Sequence, residues 1–176
     1  MWKKKLSLPS FLIVITGDLI SKGLTHNYLP LSRGISRFPF GGVPIFKNCM
    51  GIDLCLHHVT NRGAAWGFGE TWQIPLLLLR IGILVAIFLY VKHSSNATRY
   101  RYSWALLLGG GVGNILDYFI YGHVVDMFHF ILWGYSYPVF NIADIAIFCG
   151  ILHLVYLSFI QSITSRYRAS QDHTSS

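Results

Sequence analysis

The sequence predicts an all-α integral membrane protein: four transmembrane helices with a small β-rich extracytoplasmic lobe between helices 1 and 2. Three observations carry this. Charged residues make up only 12% of the chain and hydrophobic residues 53%, with a mean hydropathy of +0.48; a soluble domain carries about 25% charged residues. Four apolar stretches are each long enough to cross a bilayer, which takes about 20 helical residues. The Lys and Arg residues, 14 against 7 Asp and Glu, cluster at both ends of the chain and in the short 92–102 link, while Arg33, Arg37, Lys47 and Arg62 lie in a 26–71 stretch long enough to translocate with them. The same figures exclude a disordered chain, a disulfide-stapled mini-protein and a nucleic-acid binder with a basic groove. The 176 residues read as a single membrane domain.

Span one runs over residues 6–24, with Asp18 and Lys22 inside it. Its basic start followed by an apolar run has the look of a secretory signal peptide. Asp18 and Lys22 fall where small residues should prepare a cleavage site, so the segment is expected to stay as a membrane span. Span two covers 72–91 and contains Arg80, read as snorkelling or pairing with an outer carboxylate. Span three, 103–121, is rich in glycine, and span four covers 139–160.

The positive-inside rule sets the orientation. Lys3, Lys4 and Lys5 precede span one, Lys92, Arg99 and Arg101 crowd the link between spans two and three, and Arg166 and Arg168 follow span four. The 122–138 link has no Lys or Arg. Both termini and the 92–102 link are therefore expected in the cytoplasm. The outer lobe, 26–71, is broken by prolines and glycines before Ile52, Leu54, Leu56 and His58 alternate with Asp53, Cys55 and His57, which predicts a strand. Asn61, Arg62 and Gly63 are read as its turn. The 122–138 link, with Phe128, Phe130, Trp133, Tyr135 and Tyr137, is expected to lie in the membrane interface.

Four of the seven acidic residues, Asp18, Asp117, Asp126 and Asp144, lie in or beside spans. Acids are expensive in lipid and default to a functional hypothesis. With this topology all four converge on the outer leaflet boundary; Asp144 comes about 8 Å below the start of span four at 1.5 Å per residue. Asp18 and Lys22 are spaced i,i+4, and Asn114–Asp117 and Asn141–Asp144 are spaced i,i+3. Two amide–carboxylate pairs at one depth predict a polar cavity between spans three and four. Gly109 and Gly113 let another helix approach closely. Two facing carboxylates that share a proton can hydrolyse an amide: one takes a proton from water, the other donates to the carbonyl. No metal or cofactor is expected.

Rival readings are weighed beside this one. Asp18–Lys22 reads equally as a buried ion pair tying helices together, and Asp117 as a helix-end polar network with Asn114. Ser21 and Lys22 are adjacent, so they project about 100° apart and form no dyad with each other. His123 and His129 flank Asp126, but ordinary interfacial histidines are favoured over a metal site. His153 reads as a satisfied core group. Cys49 and Cys55 pair if the compartment is oxidising, Cys149 reads as core, and the three have no metal spacing.

At this point the residues resemble the bacterial lipoprotein signal peptidases, the type II signal peptidases. Asp18, Ser21 and Lys22 resemble an Asp-x-x-Ser-Lys motif; Asn61 with Gly63, Ala64, Ala65 and Trp66 an Asn-x-Gly-Ala-Ala-Phe segment. Residues 109–117 resemble Gly-Gly-x-x-Gly-Asn-x-x-Asp, residues 122–126 Gly-x-Val-x-Asp, and residues 140–144 Phe-Asn-x-Ala-Asp. Tyr118 stands where that family has Arg, and Met127 where it has Phe. The resemblance implies an aspartic endopeptidase of the bacterial inner membrane with its site at the outer face. It implies Asp126 and Asp144 as the catalytic pair, with Asn61, Gly63, Asn114, Asp117, Asn141, Asp18 and Lys22 supporting the site or binding substrate. The implied substrate is a prolipoprotein cut before a diacylglyceryl-modified cysteine, and the implied inhibitor is globomycin. The alternatives are a small transporter or proton relay, and a non-catalytic lipoprotein-binding relative.

Overall fold

The computed structural model describes residues 6–32, 42–62 and 72–174. Gly63, Ala64, Ala65 and Trp66, together with Lys3, Lys4, Lys5, Arg33 and Arg37, lie outside them. Four helices are seen: α1 (Leu8–Tyr28), α2 (Gln73–His93), α3 (Arg101–Tyr121) and α4 (Ile142–Thr174). Four strands, β1 (Val43–Cys49), β2 (Ile52–Asn61), β3 (Val124–Leu132) and β4 (Tyr135–Ser136), form one antiparallel sheet in the order β1-β2-β3-β4. The expected all-α fold is therefore corrected to a mixed helix and sheet fold.

The sheet is larger than a lobe between the first two helices because the 122–138 link supplies half of its strands. Gly122 ends α3 in the left-handed conformation at φ 77°, which glycine adopts without a Cβ penalty. The chain then leaves as β3, which pairs with β2 along its length. Val124, Val125, Asp126 and Met127 are all buried. With both faces covered, β3 shows no period-two alternation, so its aromatics read as an interfacial belt. Trp133 and Gly134, at φ 48° and 85°, make the turn into β4.

A second correction concerns the spans. Among the described residues three helices, not four, are long and apolar enough to cross a membrane: α1, α2 and residues 142–166 of α4. The remaining helix, α3, sits in the middle of the bundle and packs against each of the others. Its buried positions are Ser103, Trp104, Ala105, Leu108, Gly109, Gly110, Gly113 and Asp117. A helix walled by protein needs small residues for close approach more than apolar bulk. A Cβ at Gly109 would meet Val14 of α1 at 3.2 Å, and one at Gly110 would collide with the Ala143 carbonyl oxygen of α4.

Helix α1 is largely polar inside and apolar outside. On α1 the buried stripe is Val14, Asp18, Lys22 and Thr25, one face at helical spacing, while Leu12, Ile13, Ile20 and Leu24 are exposed. That inversion suits a helix whose surroundings are lipid. The Ser7 amide donates to the Arg101 carbonyl at 3.2 Å, so α1 and α3 start at one end of the bundle and the sheet caps the other. Cys149, read as core, is exposed on α4, and Cys49 and Cys55 are free thiols.

Candidate active site

The site is built where β3 meets the start of α4. Phe140 pairs with Phe128 through Phe128 N to Phe140 O at 2.8 Å and Phe140 N to Phe128 O at 3.1 Å. Its ring stacks on Phe130 with centroids 5.9 Å apart. This clamp delivers the next residue, Asn141, beside Asp126.

Asn141 is the cap of α4 rather than part of its interior. Its Oδ1 accepts from the Asp144 amide at 3.0 Å, and its own amide donates back to Asp144 Oδ2 at 3.3 Å. The pair is a reciprocal capping box. The i,i+3 spacing thus reflects a helix start, and Asp144 lies in the first turn of α4 instead of deep within a span. There the helix N-terminus and its N–H groups favour negative charge.

Five side chains join in one network. Asp126 Oδ1 accepts from Asn141 Nδ2 at 2.7 Å and Asp126 Oδ2 from Asn61 Nδ2 at 2.9 Å. Asn141 Nδ2 also reaches Asn114 Oδ1 at 3.1 Å, and Asn114 Nδ2 donates to Asp144 Oδ1 at 2.8 Å. Asn141 thereby bridges the two carboxylates, and Asn114 joins Asp144 to Asn141. Asp126 is 2% exposed, whereas Asp144 is half-buried. Burial, then the neighbouring Asp144 charge, push the Asp126 carboxyl up to about 7; low dielectric and a like charge both favour its neutral form.

Both acids, with Asn61, Asn114 and Arg80, line a cavity of about 280 Å³. Its opposite wall is apolar, formed by Ile83, Leu84 and Ile87 of α2. Arg80, read from the sequence as snorkelling or pairing with an outer carboxylate, lines the same cavity as both acids. Tyr118 makes an edge-on contact with Phe119 and is not among the residues lining that cavity.

Asp18, Lys22 and Asp117 form a separate, fully buried cluster. Lys22 Nζ lies 2.6 Å from Asp18 Oδ2 and 2.7 Å from Asp117 Oδ2. Asp18 Oδ1 accepts from the Ala143 amide at 2.8 Å and Asp117 Oδ2 from the Val125 amide at 3.2 Å. Three charges therefore tie α1 and α3 to the residues immediately before Asp144 and Asp126. Lys22 Nζ also donates to Asn114 Oδ1 at 3.0 Å, joining this anchor to the carboxylate network. Ser21 donates to the Asp18 carbonyl at 2.9 Å, and Ser103 Oγ lies 3.0 Å from His153 Nδ1.

Comparison with known proteins places this geometry in context. A family model described as signal peptidase (SPase) II matches residues 10–160. A lipoprotein signal peptidase of Burkholderia multivorans is 41% identical over 102 residues, covering 56% of this chain and 61% of the relative. One of Burkholderia cenocepacia is 40% identical over the same length and coverage. The match thus spans about three fifths of the length of these curated relatives. A bacterial membrane enzyme solved by the in meso method has the same fold, with a TM-score of 0.70, 22% identity and 88% coverage of each chain. A second such structure aligns with a TM-score of 0.67, 23% identity and coverage of 85% and 90%.

Proposed function

This chain belongs to the signal peptidase II family, whose model it matches over residues 10–160, and on that premise we propose that it is a membrane aspartic endopeptidase. It removes signal peptides from prolipoproteins, cleaving before a diacylglyceryl-modified cysteine. The observation that carries the reading is the network in which Asn114, Asn141 and Asn61 hold Asp126 and Asp144 at one cavity.

The two acids divide the work by environment. Asp126, buried and raised to about 7, holds the shared proton. Asp144, at a helix N-terminus and accepting from Asn114 and a backbone amide, is the base. Asp144 takes a proton from water, and the water oxygen attacks the scissile carbonyl. Asp126 donates to the carbonyl oxygen as it becomes tetrahedral. The C–N bond then breaks as the proton on Asp144 passes to the leaving nitrogen, and Asp126 takes its proton back from the oxygen as the carboxyl product forms. Arg80 binds a substrate carbonyl from the facing wall, in place of the arginine that Tyr118 displaces. The apolar α2 wall accepts the signal helix or the lipid chains. No metal or cofactor takes part in this scheme.

The end of the bundle bearing Lys92, Arg99 and Arg101 faces the cytoplasm, with both termini, and the sheet faces outward. The acids then stand at the outer surface of the bacterial inner membrane, and one domain carries the whole activity. The test is incubation of the detergent-purified protein with a diacylglyceryl-modified prolipoprotein, with and without globomycin. Release of the signal peptide, blocked by globomycin and reduced about 10²–10⁴-fold in Asp126→Asn and Asp144→Asn, is expected of general acid–base groups. Near-normal turnover in either folded variant refutes the assignment.

A further inference from the structure

Away from the acids, the sheet carries a second convergence of reactive side chains that peptide hydrolysis does not use. Cys55 and His57 are two residues apart on β2, and Cys55 is the register partner of His129 on β3. Cys55 Sγ lies 2.9 Å from His57 Nε2 and 3.9 Å from His129 Nδ1, and the two ring nitrogens are 3.3 Å apart. The three residues are 1%, 2% and 1% exposed. Each offers one ligand atom, all within 4.8 Å of one another.

We propose that Cys55, His57 and His129 form a binding site for Zn²⁺, with a fourth position open to water. Tetrahedral zinc, with bonds of about 2.3 Å to sulfur and 2.0–2.1 Å to nitrogen, sets its nitrogens about 3.3 Å apart and sulfur about 3.5 Å from each nitrogen. The nitrogen separation here is that distance, and the two sulfur separations bracket theirs. One thiolate and two imidazoles are a donor set for zinc rather than for calcium or magnesium.

The surroundings also fit. His57 Nδ1 lies 3.3 Å from Ser32 Oγ, and His129 Nε2 lies 2.8 Å from Ser136 Oγ. A hydroxyl accepting the outer N–H of each ring leaves the inner nitrogen with its lone pair, the tautomer that ligates. A cavity of about 220 Å³ borders His57. Gly42 flanks it, and a Cβ there would stand 2.7 Å from His57 Nε2, so glycine keeps the ligating nitrogen clear. On binding, the Cys55 thiol proton leaves to solvent and the sulfur bonds the metal as thiolate.

The site clamps two strands where their pairing is irregular. The β2–β3 register slips between Leu56 and Val59, and the ligands straddle the start of that slip. Beyond it the same strands present Asn61 and Asp126. A metal here fixes the frame of the carboxylate network without joining its chemistry.

The experiment uses Co²⁺ as a spectroscopic substitute for zinc. The full chain carrying Cys49→Ser and Cys149→Ser keeps Cys55 as its sole thiol. Titration of that protein in detergent is expected to saturate at one equivalent, with a thiolate-to-cobalt charge-transfer band that Zn²⁺ abolishes. Adding Cys55→Ser removes the band, and His129→Gln weakens binding at least tenfold. Zinc raises the thermal midpoint of the parent and not of the Cys55→Ser protein. If Cys55→Ser does not fold, loss of one-equivalent binding in His57→Gln decides the matter. Absence of the band in the parent, or its survival in Cys55→Ser, would show a hydrogen-bonded polar cluster and overturn the site.

Discussion

Gly113→Ala should destabilise the protein although it replaces a helix-interior glycine by the best helix former. The added Cβ would stand 2.5 Å from Asp18 Oδ2. Asp18 has nowhere to swing, because Oδ2 is held by Lys22 and Oδ1 by the Ala143 amide. Moving it breaks a fully buried ion pair, which costs about 3–5 kcal/mol when one partner is lost. Alanine returns about 1 kcal/mol of helix propensity. The net loss is about 2–4 kcal/mol, which in a chain of this size lowers the thermal midpoint by roughly 4–16 °C. Gly17→Ala and Gly82→Ala are the internal controls, since a Cβ at either meets nothing within 4 Å. Each should raise stability by about 1 kcal/mol. Thermal unfolding of the three variants in one detergent, followed by circular dichroism, gives the comparison. If Gly113→Ala shifts the midpoint upward like the controls, Asp18 yields freely and the buried charge cluster does not hold the helices.

Four further outcomes follow from the same geometry. Turnover should fall as pH rises through about 7, because Asp126 then loses the proton it donates; a pH–rate profile flat from 6 to about 8 contradicts that role. Since its folded pKa is raised from 3.8 to about 7, Asp126 weakens folding as pH rises from 3.8 through about 7, and its full contribution is present below 3.8. Asp126→Asn should flatten that part of the stability profile, read by unfolding in detergent across the range. Lys22→Met leaves Asp18 and Asp117 buried without their cation and should cost about 3–5 kcal/mol, with Asp18→Asn added to it recovering part of the loss. Arg80→Met should raise KM for a prolipoprotein by about tenfold, the loss of one hydrogen bond to a charged group at about 1.5 kcal/mol or more; an unchanged KM contradicts a role for Arg80 in binding.

The apolar runs around α1, α2 and α4 were plain in the sequence, since length and hydropathy report a helix that faces lipid. The four acids and their asparagines could also be singled out there, because an acid in an apolar run stands out against its surroundings. What spacing could not show is which partner each polar group meets. Asn141 and Asp144 have the spacing of two neighbours on a helix and equally that of a cap and its third residue, and only the backbone separates the two. The central place of α3 was hidden because packing inside protein and packing against lipid ask for different compositions. β3 was hidden because burial on both faces erases alternation. Cys55, His57 and His129 join across 74 residues of sequence, so the Cys-x-His spacing on β2 was the one local trace of them.

The two walls of the cavity are built to unequal stiffness. One is braced by three buried charges and a chain of amides reaching from α1 to α4. The other is α2, which has only Leu77 and Val91 buried and meets the bundle chiefly through α3. A tilt of α2 gives up dispersion contacts with α3, and its exposed side exchanges one hydrocarbon neighbour for another. On the proposed function, the side of the cavity that faces lipid is therefore the more lightly packed one, while the side that carries both acids is the one held by buried charge.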